Sequence, residues 1–93
     1  MKLYAIITVF GDAVDTSISD NLHDMETMFN LGVSNMKDDR NLGCLLLEID
    51  DITKFKVNVC TVTHRCSADI EGCTIIGNEC ETNDGGEFFL GNG

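Results

Sequence analysis

At 93 residues and 43% hydrophobic, the chain is sized for a single domain spanning 1–93 with one small core, and its composition is not that of a disordered chain. Sixteen acids against six bases leave a net charge of −10, which argues against direct binding to nucleic acid, whose phosphates would be repelled. The longest apolar run, Leu3 to Phe10, is far short of the ~20 residues a membrane helix needs, and Gly11-Asp12 ends it in a way that does not fit a signal peptide.

That first run is apolar on both alternating faces, with Tyr4, Ile6 and Phe10 on one and Leu3, Ile7 and Val9 on the other. It reads as a central strand covered on both sides. Gly11-Asp12 is a turn signal, and Ala13 to Ile18 a short second strand. Ser19-Asp20-Asn21 then offers three candidate N-cap residues ahead of Leu22, Met25, Met28 and Phe29, spaced by three and four. This predicts a helix over 20–31 with those four residues in the core and Gly32 as a left-handed C-terminal cap. Asp20, Asp24 and Glu26 fall in its first turns, where the helix dipole favours acids.

Residues 34–41 read as a polar connection. Leu42 to Asp50 is a strand with Leu45, Leu47 and Ile49 on one face, followed by a hairpin loop at Asp50-Asp51-Ile52-Thr53. From Lys54 to His64 alternation is clean: Phe55, Val57, Val59, Thr61 and Thr63 oppose Lys54, Lys56, Asn58, Cys60, Val62 and His64. One face is therefore buried and the other wet. Ile70 to Ile76 and Glu87 to Leu90 are further short strands, with a turn at Asn83-Asp84-Gly85-Gly86 and a frayed Gly91-Asn92-Gly93. The expected class is α+β, with one helix packed on a small antiparallel sheet of about 4–5 strands.

Five cysteines, an odd number, fit reduced thiols in the cytoplasm better than a secreted disulfide framework. Cys60, His64 and Cys66 resemble part of a zinc site. On a strand, however, Cys60 and His64 lie ~13 Å apart, whereas zinc ligands bond at ~2.0–2.3 Å. Cys66, Cys73 and Cys80 recur every seven residues, which allows a cross-strand site from these three, and Cys60, His64, Cys66, Cys73 and Cys80 together stand as the metal or redox alternative. The preferred reading is that the cysteines serve as small buried hydrophobes, with no metal and no cofactor. A disulfide within the group would need oxidising conditions. No nucleophile motif, phosphate-cradling glycine loop or EF-hand spacing is present, and a non-enzyme is expected.

The charge distribution carries the functional expectation. Residues 3–36 hold five acids and residues 66–93 six, with no Lys or Arg in either block, while five acids cancel five bases between Lys37 and Arg65. Solubility alone accounts for many acidic proteins; two base-free blocks favour a one-signed field that acts on a partner if the helix at 20–31 and the segment at 66–93 lie on the same side of the sheet, and a diffuse charge that serves solubility if they lie on opposite sides. Alternate side chains on a strand recur at ~6.8 Å, near every second phosphate of one DNA strand. A carboxylate row of this kind occupies a DNA-binding groove. The residues expected to form it are Asp20, Asp24 and Glu26 on the helix, with Asp69, Glu71, Glu79, Glu81, Asp84 and Glu87.

By size, charge and lack of catalytic motifs the chain is similar to small acidic inhibitors that bacteriophages use against host nucleic-acid machinery, including DNA mimics, anti-restriction proteins and anti-CRISPR proteins. The likeness implies a basic, nucleic-acid-binding protein partner in the cytoplasm (of the host, if phage-encoded), and it transfers no residues. A structural protein that forms homodimers through a sheet edge is the third expectation.

Overall fold

The computed structural model describes residues 2–10, 13–36, 41–62, 65–81 and 87–90. Among them the chain order is β1 (Leu3–Phe10), β2 (Ala13–Ser19), α1 (Leu22–Asn35), β3 (Asn41–Ile49), β4 (Lys56–Val62), β5 (Arg65–Glu71), β6 (Cys73–Cys80) and β7 (Phe89–Leu90). They form two sheets instead of one. The first has order β2-β1-β3-β6 and is antiparallel throughout; the second has order β4-β5-β7. The expected antiparallel pattern is corrected at β7, which runs parallel to β5.

The two sheets and the helix make three layers. One face of the first sheet, with Ala5, Ile7 and Val9 of β1 and Leu45, Leu47 and Ile49 of β3, packs on Cys66, Ala68 and Ile70 of the second sheet. The opposite face, with Tyr4, Ile6, Cys44 and Leu46, packs on Met25, Leu22, Phe29 and Val33 of α1. This is why β1 is apolar in both phases of its alternation: neither face meets water. In β4 the alternation holds, with Val57 and Val59 turned toward the core and Lys56, Asn58 and Cys60 exposed.

Asn21 caps α1, its side-chain oxygen accepting from the Asp24 amide at 3.1 Å, while Ser19 Oγ accepts from the Asn21 amide. Gly32 is not the expected terminus. The helix continues to Asn35 because Val33 and Met36 extend the buried stripe by another turn. Met28 is corrected as well: it is 45% exposed, whereas Met25 is 1% exposed. Gly77 of β6 lets the helix settle onto the sheet, since a Cβ there would lie 2.8 Å from Phe29 Cζ.

The 70–76 run, expected as one strand, is broken at Gly72, where φ is +72°. Here the chain leaves the second sheet for the edge of the first. The segment after β3 crosses between the layers at the same place, so it is an inter-sheet connection and not a hairpin. The Asp50 and Asp51 amides both donate to the Gly72 carbonyl, at 2.8 and 3.1 Å, and Thr74 Oγ1 donates to Asp50 Oδ2 at 2.6 Å. Asp51 Oδ1 accepts from the Thr53 hydroxyl and amide, which holds the Asp51 carboxyl below its usual pKa. A Cβ at Gly72 would sit 2.8 Å from the Asp51 carbonyl oxygen. With the left-handed penalty added, Gly72→Ala is expected to cost about 2–3 kcal/mol. Thermal melts should show a fall of about 4–8 °C per kcal/mol; an unchanged Tm would contradict the crossing geometry.

Candidate interaction surface

The acids divide between two sides of the molecule. Asp20 precedes the helix cap, Asp24 lies in the first turn and Glu26 follows, all exposed. Asp15 of β2 pairs with Thr8, whose hydroxyl lies 3.9 Å from Cys44 Sγ in the helix-side cluster, so Asp15 belongs to the helix side of the first sheet. Glu79 of β6 pairs with Cys44 and shares that side. Asp15 is a member that sequence reasoning missed; its signal was the polar alternation Asp15, Ser17, Ser19.

Asp69 and Glu71 are elsewhere. They alternate with buried Ala68 and Ile70, so they point away from the first sheet, across two sheet layers from the helix. Their ladder partners are Asn58 and Lys56. A groove next to them is lined by Lys54, Lys56 and Glu71, so this face has mixed sign. Glu81 is exposed just beyond β6, its amide donating to the Leu42 carbonyl, and Glu87 is exposed beside buried Phe88. Asp84, His64, the Gly11-Asp12 turn, Asp38-Asp39, the 83–86 turn and the 91–93 tail lie outside the described residues. The two acidic blocks therefore do not form one continuous face.

The helix itself does not present its three acids in a row. Successive residues turn by about 100°, so Asp24 and Glu26 lie about 200° apart, on opposite flanks. Asp24 instead shares a stripe with Met28 and Leu31, at i+4 and i+7, which are 45% and 58% exposed. These two exposed apolar side chains lie beside Asp24. The three-and-four spacing of Met28 had assigned it to the core.

Among the described residues, Lys2 is the cation on the helix side of the first sheet. Lys2 is committed to Glu48, with Nζ 3.2 Å from Oε1, the sole ion pair found among the described residues, and this hydrogen bond raises the Lys2 pKa. Lys37 and Arg40 lie outside the described residues, where the run Lys37-Asp38-Asp39-Arg40 sums to zero charge.

The cysteines do not assemble into a site. The expectation of five reduced thiols is corrected, because Cys66 and Cys80 are joined in a disulfide with Cα atoms 6.4 Å apart. The pleat brings them together: Cys66 faces inward from β5, and Cys80 lies on the second-sheet side of β6. The metal set of Cys60, His64, Cys66, Cys73 and Cys80 loses two thiolates to that bond. Cys60 is exposed on the outer face of the second sheet, away from inward-facing Cys66, and Cys73 is half-buried beside Ile49. Among the described residues no three His, Cys, Asp or Glu side chains are placed to hold a metal ion. Burial raises the thiol pKa of Cys44, partly offset by the Thr8 hydroxyl, and burial together with Asp50 raises that of Cys73. Raised thiols are poor nucleophiles and poor ligands at neutral pH.

No helix among the described residues is long and apolar enough to cross a membrane. Comparison with protein-family models, curated proteins and solved structures finds no match to this chain.

Proposed function

We propose that the chain is a non-enzymatic binding protein whose helix side blocks a basic, nucleic-acid-binding surface of another protein, in the manner of phage-type DNA mimics, anti-restriction or anti-CRISPR inhibitors. One observation carries this reading. Asp15 and Glu79 lie on the helix side of the first sheet, Asp24 and Glu26 on the two flanks of the helix that covers it and Asp20 just before its cap, and the described cation there, Lys2, is already paired. A low-dielectric sheet and helix behind a one-signed surface focus its field outward and speed encounter with a positive partner. Exposed Met28 and Leu31 beside Asp24 supply the apolar contact that such a surface needs for affinity as well as steering.

Asp69 and Glu71 drop out of the binding set, because Lys54 and Lys56 neutralise their surroundings. Such an inhibitor acts in the cytoplasm, where thiols are kept reduced. Both sulfur-bearing residues of the disulfide are 0% exposed, which shields the bond from small thiols while the domain is folded.

The test uses two charge-neutralised variants on an immobilised support. Asp15→Asn/Asp20→Asn/Asp24→Asn/Glu26→Gln is expected to lose retention of nucleic-acid-binding proteins from lysate, and Asp69→Asn/Glu71→Gln to keep it. Added duplex DNA should compete the captured protein off the wild type. Affinity for that protein should fall at least about tenfold when salt rises well above the physiological range, where screening shortens the field to less than ~8 Å. An affinity indifferent to salt, or equal losses in both variants, would defeat the proposal.

A further inference from the structure

The outer edge of the first sheet points to a second partner, which is another copy of the same chain. β2 is a seven-residue terminal strand that pairs only with β1 among the described residues. Unpaired strand edges are templates for association, and proteins blunt them with lysines, prolines, bulges or short length. The other edges here carry such protection. β6 has a register shift opposite Leu46/Leu47; β4 carries Lys56; β7 is two residues long. β2 has no lysine, no proline and no shift in its pairing with β1, and its one charge is Asp15.

Its side chains also fit themselves. Val14, Thr16 and Ile18 pair with Val9, Ile7 and Ala5, so they lie on the second-sheet side, yet Val14 and Ile18 are 47% and 50% exposed. The second sheet does not reach them. We infer that two copies pair β2 against β2, antiparallel, about a two-fold axis through Thr16. In that register Val14 meets the other copy's Ile18, Ala13 meets Ser19, Thr16 meets itself, and Asp15 meets Ser17 in place of another acid. β-branched cross-strand pairs of this kind are favourable. The two Asp15 carboxylates fall on the diagonal, roughly 7–8 Å apart, within reach of salt screening.

The result is an eight-stranded sheet. Its dyad stands normal to the sheet, so both helices lie on one face and both second sheets on the other. A seam of two seven-residue strands is smaller than the about 1,200 Å² of a standard stable interface, so association depends on concentration. Because each copy carries −10, dimerisation strengthens as salt rises, opposite in sign to the binding of a basic partner.

Sedimentation equilibrium over a concentration series tests this, with the monomer at 10.2 kDa. The wild type should move to twice that mass, more readily at high salt. Thr16→Lys should remain monomeric with an unchanged circular dichroism spectrum, since it places like charges opposite each other at an otherwise exposed position. In a Cys60→Ser background, Thr16→Cys should cross-link two chains on mild oxidation, whereas Ala13→Cys, displaced from its own copy along the strand, should not. A wild type that stays monomeric at millimolar concentration, a Thr16→Lys dimer, or cross-linking at position 13 but not 16 would each overturn the inference.

Discussion

Replacing Cys66 and Cys80 together by alanine is expected to lower the unfolding free energy by about 3 kcal/mol. The bond closes a chain segment with a sequence separation of 14, and the unfolded ensemble regains that loop entropy when it is lost. For a domain of this size the midpoint should drop by roughly 10–25 °C. The bond ties β5 in the second sheet to β6 at the edge of the first. The inward side chains of β5 are Cys66, Ala68 and Ile70, and only Ile70 is large, so the contact between the layers is thin at this strand. Hydrogen exchange should therefore rise more in β4, β5 and β7 than in β1 and β3. A thiol titration in denaturant provides the control. Without reductant the wild type should show the three free cysteines Cys44, Cys60 and Cys73, and after reduction all five. Five thiols before reduction would remove the bond and the predicted loss together.

The disulfide also shows which properties of this fold are legible locally. Strand β1, a helix cap within Ser19-Asp20-Asn21 and the alternation of β4 were readable because each is set by side chains within a few residues. The even spacing of Cys66, Cys73 and Cys80 was visible, but the pairing was not, since it depends on two layers meeting at 6.4 Å between Cα atoms. Alternation in β4 shows that one face is buried without saying against what, and so a single sheet was expected where there are two. Gly72 was the overlooked signal. A glycine within an apolar run marks a break when its backbone must turn left-handed, and here it carries the chain between layers.

The candidate surface was half legible for the same reason. That Asp69 and Glu71 point outward follows from their alternation with Ala68 and Ile70. Which outside they share requires the layer order, and that order separates them from the helix. Gly32 misled because a glycine at a helix end is so often a cap; Val33 and Met36 continued the period beyond it. In each case the local pattern was present and a long-range contact chose among its meanings.

Met25 and Met28 make that choice measurable, because they are the same side chain three residues apart on one helix. Met25→Ala should destabilise the protein by about 2–5 kcal/mol, the range for emptying a buried methionine site. Met25 sits against Tyr4, Ile6, Cys44 and Leu46 and is the one residue of α1 that is fully buried. Half-buried Leu22, Phe29 and Val33, with Met36 just beyond the helix, supply the rest of the contact. Met28→Ala should change stability by less than about 0.5 kcal/mol, as expected for an exposed position. Its expected effect is on binding. If a basic partner docks on the stripe of Asp24, Met28 and Leu31, truncating Met28 should weaken that complex by about 1–2 kcal/mol, an effect that persists at high salt. Asp24→Asn should weaken it chiefly at low salt. Urea unfolding and titration calorimetry, run on both methionine variants, separate the roles. Met25→Ala loses stability first and binding only through the loosened helix, so stabilising osmolyte should restore its binding but not that of Met28→Ala. Equal unfolding midpoints for the two variants would mean that the helix does not pack as described, and unaltered affinity in Met28→Ala would move the partner off this stripe.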